Sequence, residues 1–116
     1  MRQIDPTDDR FYLRQDETGY QGISLSRKQA KVCREDFNNK GYKRICYKDE
    51  KTLKGRLIYK LYGENPYNLD LDKVEIHHKN LNRQDDRLEN LYPISKENHS
   101  ILHKFIDKYG IDNVSI

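Results

Sequence analysis

The stretch that decides the fold runs from Val74 to Phe105, VEIHHKNLNRQDDRLENLYPISKENHSILHKF. Val74, Ile76 and His78 alternate with Glu75 and His77, which is the period of a β-strand. Residues 79–89 are polar and read as a loop. Leu91 to Ile94 is a second short strand, where Pro93 is tolerated at an edge or strand end. Ser95 is placed to cap a helix from Lys96 to Tyr109, with Gly110 closing it. Ile101, Leu102, Phe105, Ile106 and Tyr109 form the expected core stripe of that helix. The hairpin is expected to rest on Val74, Ile76, Leu91 and Ile94 packed against Leu102, Phe105 and Ile106.

All four histidines of the chain, His77, His78, His99 and His103, fall inside this stretch. Adjacent residues of a strand point to opposite faces, so His77 and His78 are not expected to share one task. His99 and His103 are spaced i, i+4 on the helix and project from one face. Two imidazoles so placed can close on one divalent cation. A hairpin followed by a helix can bring one member of the His77-His78 pair to the same ion and leave the other beside it as a base. An i, i+4 His pair or a His-His pair taken alone is more often ordinary surface.

Outward from this stretch the signals weaken. Leu57, Ile58, Leu61 and Tyr62 give the stripe of a short helix closed by Gly63. Tyr42, Arg44 and Cys46 alternate with Lys43, Ile45 and Tyr47 as a strand, and Asp49-Glu50-Lys51 reads as a turn. Ala30, Cys33 and Phe37 lie on one helical face, predicting a helix from Ser24 or Ser26 to about Asn38. Residues 1–23 offer only turn and loop punctuation, at Asp5-Pro6 and at Gly19 and Gly22. The fold class expected is α+β: one small domain over 1–116, with a basic helix and strand region before a C-terminal strand-loop-strand-helix unit at 74–110.

The chain has 116 residues and a mean hydropathy of −1.10, enough for one lean core. No apolar run approaches the ~18 residues of a membrane span, and no signal peptide is expected. Cys33 and Cys46 form no CxxC, so neither a zinc ribbon nor a disulfide framework is indicated. Both points fit a cytoplasmic protein, although a toxin domain of a longer secreted chain would read the same way. The formal net charge of +3 averages uneven parts. Residues 27–60 carry twelve basic and four acidic side chains, whereas residues 77–116 carry six of each. A local excess of this size is the footprint of a polyanion partner or of a solvated face.

The combination of His77-His78, Asn90 and His99 resembles the His-Asn-His (HNH, ββα-metal) endonuclease family. His78-Lys79-Asn80-Leu81-Asn82 and Asp86-Arg87-Leu88-Glu89-Asn90-Leu91 resemble the connecting loop of phage-type members. Ser95 to His99 resembles the start of the motif's helix, and His103 matches an extra His of colicin-type DNase domains. The similarity covers about residues 74–105. Arg56 to Gly63 is also similar to the helix that often precedes the motif.

The resemblance implies a DNA phosphodiesterase with one divalent ion. His78 would be the general base and Asn90 would hold the loop, through backbone or through the His78 ring. His77 and His99 would hold the metal, with His103 as third ligand or phosphate contact. An all-imidazole set favours zinc, nickel, cobalt or manganese over magnesium, which prefers oxygen. The loop glycine usual after the His pair is replaced by Lys79-Asn80-Leu81, where Asn80 is expected to take the unusual backbone angles. Arg27, Lys28, Lys31, Arg34, Lys43, Arg44, Lys54, Arg56 and Lys60 would contain the phosphate-tracking surface for double-stranded DNA, and Lys79, Arg83 and Arg87 would touch DNA nearer the cut. No membrane partner is expected, and oligomeric state and any immunity or packaging partner stay open. The alternative is a non-catalytic nucleic-acid-binding or inhibitory module on the same scaffold.

Overall fold

The computed structural model describes residues 1–110. Among these the protein is α+β, with antiparallel sheets and two helices. A four-stranded meander comes first: β1 (Arg2–Asp5), β2 (Asp8–Asp16), β3 (Gly19–Ser26) and β4 (Gln29–Val32), in that order across the sheet. A three-stranded sheet follows, β5 (Glu35–Phe37), β6 (Lys43–Tyr47) and β7 (Glu50–Leu53), leading directly into α1 (Lys54–Tyr62). The ribbon β8 (Glu75–His78) and β9 (Leu91–Ile94) and the helix α2 (Lys96–Tyr109) complete it.

The helix expected over residues 24–38 is absent; the segment forms the end of β3, then β4 and β5. The cause is local. Arg27 and Lys28 both take positive φ, 45° and 67°, and turn a two-residue hairpin that pairs Ser26 with Gln29. Such turns usually announce themselves by Asn-Gly or Asp-Gly, and Arg-Lys carries no such mark. Lys48 and Asp49 repeat the device between β6 and β7, one residue before the expected turn. Of the supposed helical face, only Cys33 is buried, while Phe37 is half exposed.

One core unites the three sheets. Leu13, Ile45 and Ile58 are wholly enclosed, and Tyr20, Cys33, Leu57, Ile76 and Leu91 join them in one cluster. Leu13 and Tyr20 come from the meander, Ile45 from the middle sheet, Leu57 and Ile58 from α1, and Ile76 and Leu91 from the ribbon. Gly22 makes the junction between the first two sheets: a Cβ there would lie 2.8 Å from Ile45 Cγ2. The two sheets therefore approach backbone to side chain, closer than any larger residue allows.

The C-terminal elements fall where the alternation and cap signals place them. Ser95 Oγ accepts from the Asn98 backbone N–H, and Gly110 ends α2 with φ 84°. The expected core stripe of α2 is corrected: Ile101, Phe105 and Tyr109 are 63%, 44% and 51% exposed, and Ile106 is its buried apolar residue. α2 instead turns its His99 side inward, so an imidazole takes a place that a core side chain would otherwise hold. No helix among the described residues is long and apolar enough to cross a membrane.

Candidate metal centre

The alternation of β8 sends His77 toward α2 and His78 toward α1. His77 is 1% exposed, and its ring stands edge-on to both helical histidines, with centroids 5.1 Å from His99 and 5.3 Å from His103. One ligand atom from each of the three falls within 4.8 Å of the others. His77 Nδ1 lies 3.2 Å from His99 Nε2, and His103 Nε2 lies 2.9 Å from the same atom. A tetrahedral ion with bonds of ~2.0–2.1 Å sets its ligand nitrogens about 3.3 Å apart, a value close to two of these separations.

Glu75 settles the tautomer of the central ligand. It shares the His77 face, two residues earlier on β8, and its Oε2 lies 2.7 Å from His99 Nδ1. The carboxylate can only accept, so Nδ1 of His99 donates, which leaves Nε2 as the ring atom that faces the other two imidazoles. A carboxylate behind a ligating His is the arrangement that orients the ring and raises its basicity in metal sites. Burial, then the nearby His99, His103 and His78, hold His77 down to about 4. Burial and His99 also lower His103. Both rings are thereby kept neutral, the form that binds a metal. Together these residues can hold one divalent ion.

His78 occupies a separate environment. It is 6% exposed, and its ring tilts against Tyr42 at a centroid distance of 5.5 Å. Its Nε2 meets Asp86 Oδ1 at 2.7 Å. A cavity of about 150 Å³ is bordered by Tyr42, His77, His78, Leu81, Arg83 and His103, so His78 and two members of the imidazole cluster face one space. A larger groove of about 260 Å³ runs past His78 and His99 and is flanked by Lys40, Lys43, Arg56 and Lys96.

Asn90 is 5% exposed and ties the intervening loop together. Its Oδ1 accepts from the Asn80 backbone N–H, and its Nδ2 donates to Asn80 Oδ1 and to the Asp85 carbonyl. Its amide thus reaches the loop backbone and not the His78 ring. The left-handed residue is Leu81, with φ 64°, and not Asn80. Asn80 instead uses its amide on Asp85 and Asn82.

The basic residues divide by partner. Arg44 makes a two-pronged contact with Asp36, and Lys54 is buried against Glu35 at 3.1 Å. Arg56 donates to the Leu71 and Val74 carbonyls, Lys60 pairs with Asp72, and Arg87 grips Asp85. Each of these five therefore has a partner within the chain: Lys54 is buried with its own, whereas Lys60 and Arg87 keep theirs at the surface and Arg56 still borders the groove. Arg83 lies over the Tyr42 ring and donates to the Lys40 carbonyl at 2.5 Å, beside the cavity. Arg27, Lys28, Lys31, Arg34, Lys43 and Lys79 make no side-chain ion pair among the described residues. The sequence reading missed Lys40 and Lys96, which flank the groove, and Glu75 and Asp86, which contact the histidines. Glu75 was legible from strand alternation; Asp86 reaches His78 only through the fold of the loop. Comparison with protein-family models, curated proteins and solved structures gave no match.

Proposed function

We propose that the protein is a metal-dependent endonuclease of the HNH type, hydrolysing DNA phosphodiester bonds with one divalent ion and a histidine base. The ribbon β8–β9 with α2 is read as its ββα unit. The observation that carries the proposal is the shared cavity: His77 and His103, two of the three imidazoles able to hold an ion, border it together with His78, which lies on the opposite face of β8 from His77.

In this reading His78 takes a proton from the water that attacks phosphorus, the P–O3′ bond breaks to leave a 5′-phosphate, and the departing 3′-oxygen takes a proton from solvent water to become a hydroxyl. His77, His99 and His103 would hold the divalent ion, which when bound would supply positive charge to stabilise the charge that develops in the transition state. Glu75 keeps His99 oriented, and Asn90 holds closed the loop that follows His78. Arg83 stands at the rim of the cavity as a phosphate contact. Lys40, Lys43 and Lys96 line the groove leading past His78, where they are free to meet backbone phosphates.

Plasmid nicking with Mg²⁺, Mn²⁺, Co²⁺, Ni²⁺ and Zn²⁺ tests the activity. Conversion of supercoiled to open-circle DNA that EDTA blocks is the expected result; no cutting with any of the five ions rejects the enzyme. Binding is a separate measurement. In a catalytically silent variant, DNA affinity is expected to fall steeply between about 50 and 200 mM salt, with a log–log slope of roughly −0.9 per phosphate contact. Lys43→Ala and Lys96→Ala should each flatten that slope by about one contact. An affinity that hardly changes with salt removes the groove as a phosphate path.

A further inference from the structure

A second buried group touches His78, and the reaction above makes no use of it. Asp86 is 9% exposed, and its Oδ1 lies 2.7 Å from His78 Nε2. No Lys or Arg pairs with Asp86 among the described residues, and its Oδ2 is buried without a hydrogen bond. The carboxylate is therefore aimed at the imidazole and at nothing else.

The geometry of that contact determines where the hydrogen sits. A carboxylate offers only acceptors, so Nε2 of His78 holds the hydrogen. A neutral imidazole has one N–H, which leaves the lone pair on Nδ1. Nδ1 is buried and meets no protein donor. We infer that Asp86 is the positioning residue of His78: it fixes the Nε2–H tautomer and makes Nδ1 the atom that receives the proton. The inference rests on the reading of His78 as the base.

The surroundings keep the pair together. The Asn90 side chain holds the Asp85 carbonyl at 2.8 Å, one residue before Asp86, so its grip on the loop reaches His78 through Asp86. Gly55 in the first turn of α1 closes the other side. A Cβ there would stand 2.9 Å from Asp86 Oδ1 and 3.5 Å from His78 Nε2. The absence of a side chain at position 55 is what allows α1 to back the pair this closely. Gly55→Ala is thus a second way to disturb the contact, without altering any charge or any histidine.

Long-range proton–nitrogen correlation spectra of the full chain read the tautomer directly, with His78 assigned by the signals lost in His78→Ala. Wild type is expected to show hydrogen on Nε2 and a lone pair on Nδ1. Asp86→Ala should lose that preference and lower kcat for nicking by about 10- to 100-fold. KM and zinc stoichiometry should stay at wild-type values. Asp86→Asn keeps an acceptor oxygen and should recover the tautomer and most of the rate. A wild-type His78 with hydrogen on Nδ1 overturns the inference, as does an Asp86→Ala protein with unchanged tautomer and kcat. If Asp86→Ala does not fold, the wild-type spectrum still decides the tautomer. A wild type with the Nε2–H tautomer that cuts no DNA supports the contact and overturns the nuclease reading alone.

Discussion

His78→Ala is expected to lower the rate of plasmid nicking by about 10²- to 10⁴-fold, the usual contribution of a positioned general base. Metal binding should persist. His78 lies on the opposite face of β8 from His77, and none of its nitrogens belongs to the cluster of His77, His99 and His103. The substitution has a structural cost that must be separated from the chemical one. It leaves Asp86 buried without its hydrogen-bond partner, and a buried polar group left unsatisfied costs about 1–3 kcal/mol. The double variant His78→Ala/Asp86→Ala removes both members and should regain much of that stability while remaining inactive. Titration calorimetry against zinc completes the test. Loss of zinc binding by a folded His78→Ala protein would mean that the ligand and base roles are exchanged.

The C-terminal third was legible because its signals are local. Strand alternation placed β8 and its two histidine faces, Ser95 marked the start of α2, and i, i+4 spacing put His99 beside His103. The N-terminal part was not legible, because its determinants are tertiary. Ala30, Cys33 and Phe37 have helical spacing, yet Cys33 is fixed by packing near Gly22 and Ile45 and by its backbone N–H to the Gly22 carbonyl. The first hairpin is turned by Arg27-Lys28 at positive φ, residues whose intrinsic preference gives no warning of it, whereas Asp49 in the second lies within the turn expected there.

The same division runs through the site. Residue types and spacing named the imidazoles, since the chemistry of a ligand is carried by the side chain itself. Spacing could not show that Asp86 crosses the loop to His78. Net charge could not show which cations are engaged, because an ion pair depends on the fold. Arg44, Lys54 and Arg56 sit in the most basic segment, yet Asp36, Glu35 and two carbonyls hold them. Lys96 belongs to the electrically balanced segment and stands at the groove. A charge count therefore locates an interface only after the internal pairs are removed from it.

His99→Ala is expected to abolish binding of one equivalent of zinc, and with it a large part of the protein's resistance to heat and acid. His99 Nε2 is the atom common to both short contacts of the cluster, so its loss leaves two imidazoles with no shared centre. The effect should exceed that of Glu75→Ala, for which losing an outer partner predicts a loss of affinity of about 10- to 100-fold. Zinc at about a thousand times its dissociation constant stabilises the folded state by about 4 kcal/mol, which melting with and without EDTA reads directly. Acid acts on the same residues. His77 is held to about 4 when folded and returns to an ordinary value near 6.5 on unfolding. The unfolded chain therefore binds the extra proton first, so stability present above about pH 6.5 is lost as pH falls through about 4. For this one group the loss is on the order of 3 kcal/mol in the metal-free protein. His77→Asn should remove most of that pH dependence, because asparagine does not titrate. If EDTA leaves the melting of wild type unchanged with all five ions, the metal centre is excluded; if acid unfolds wild type and His77→Asn alike, burial of a neutral His77 is not the source of the acid sensitivity.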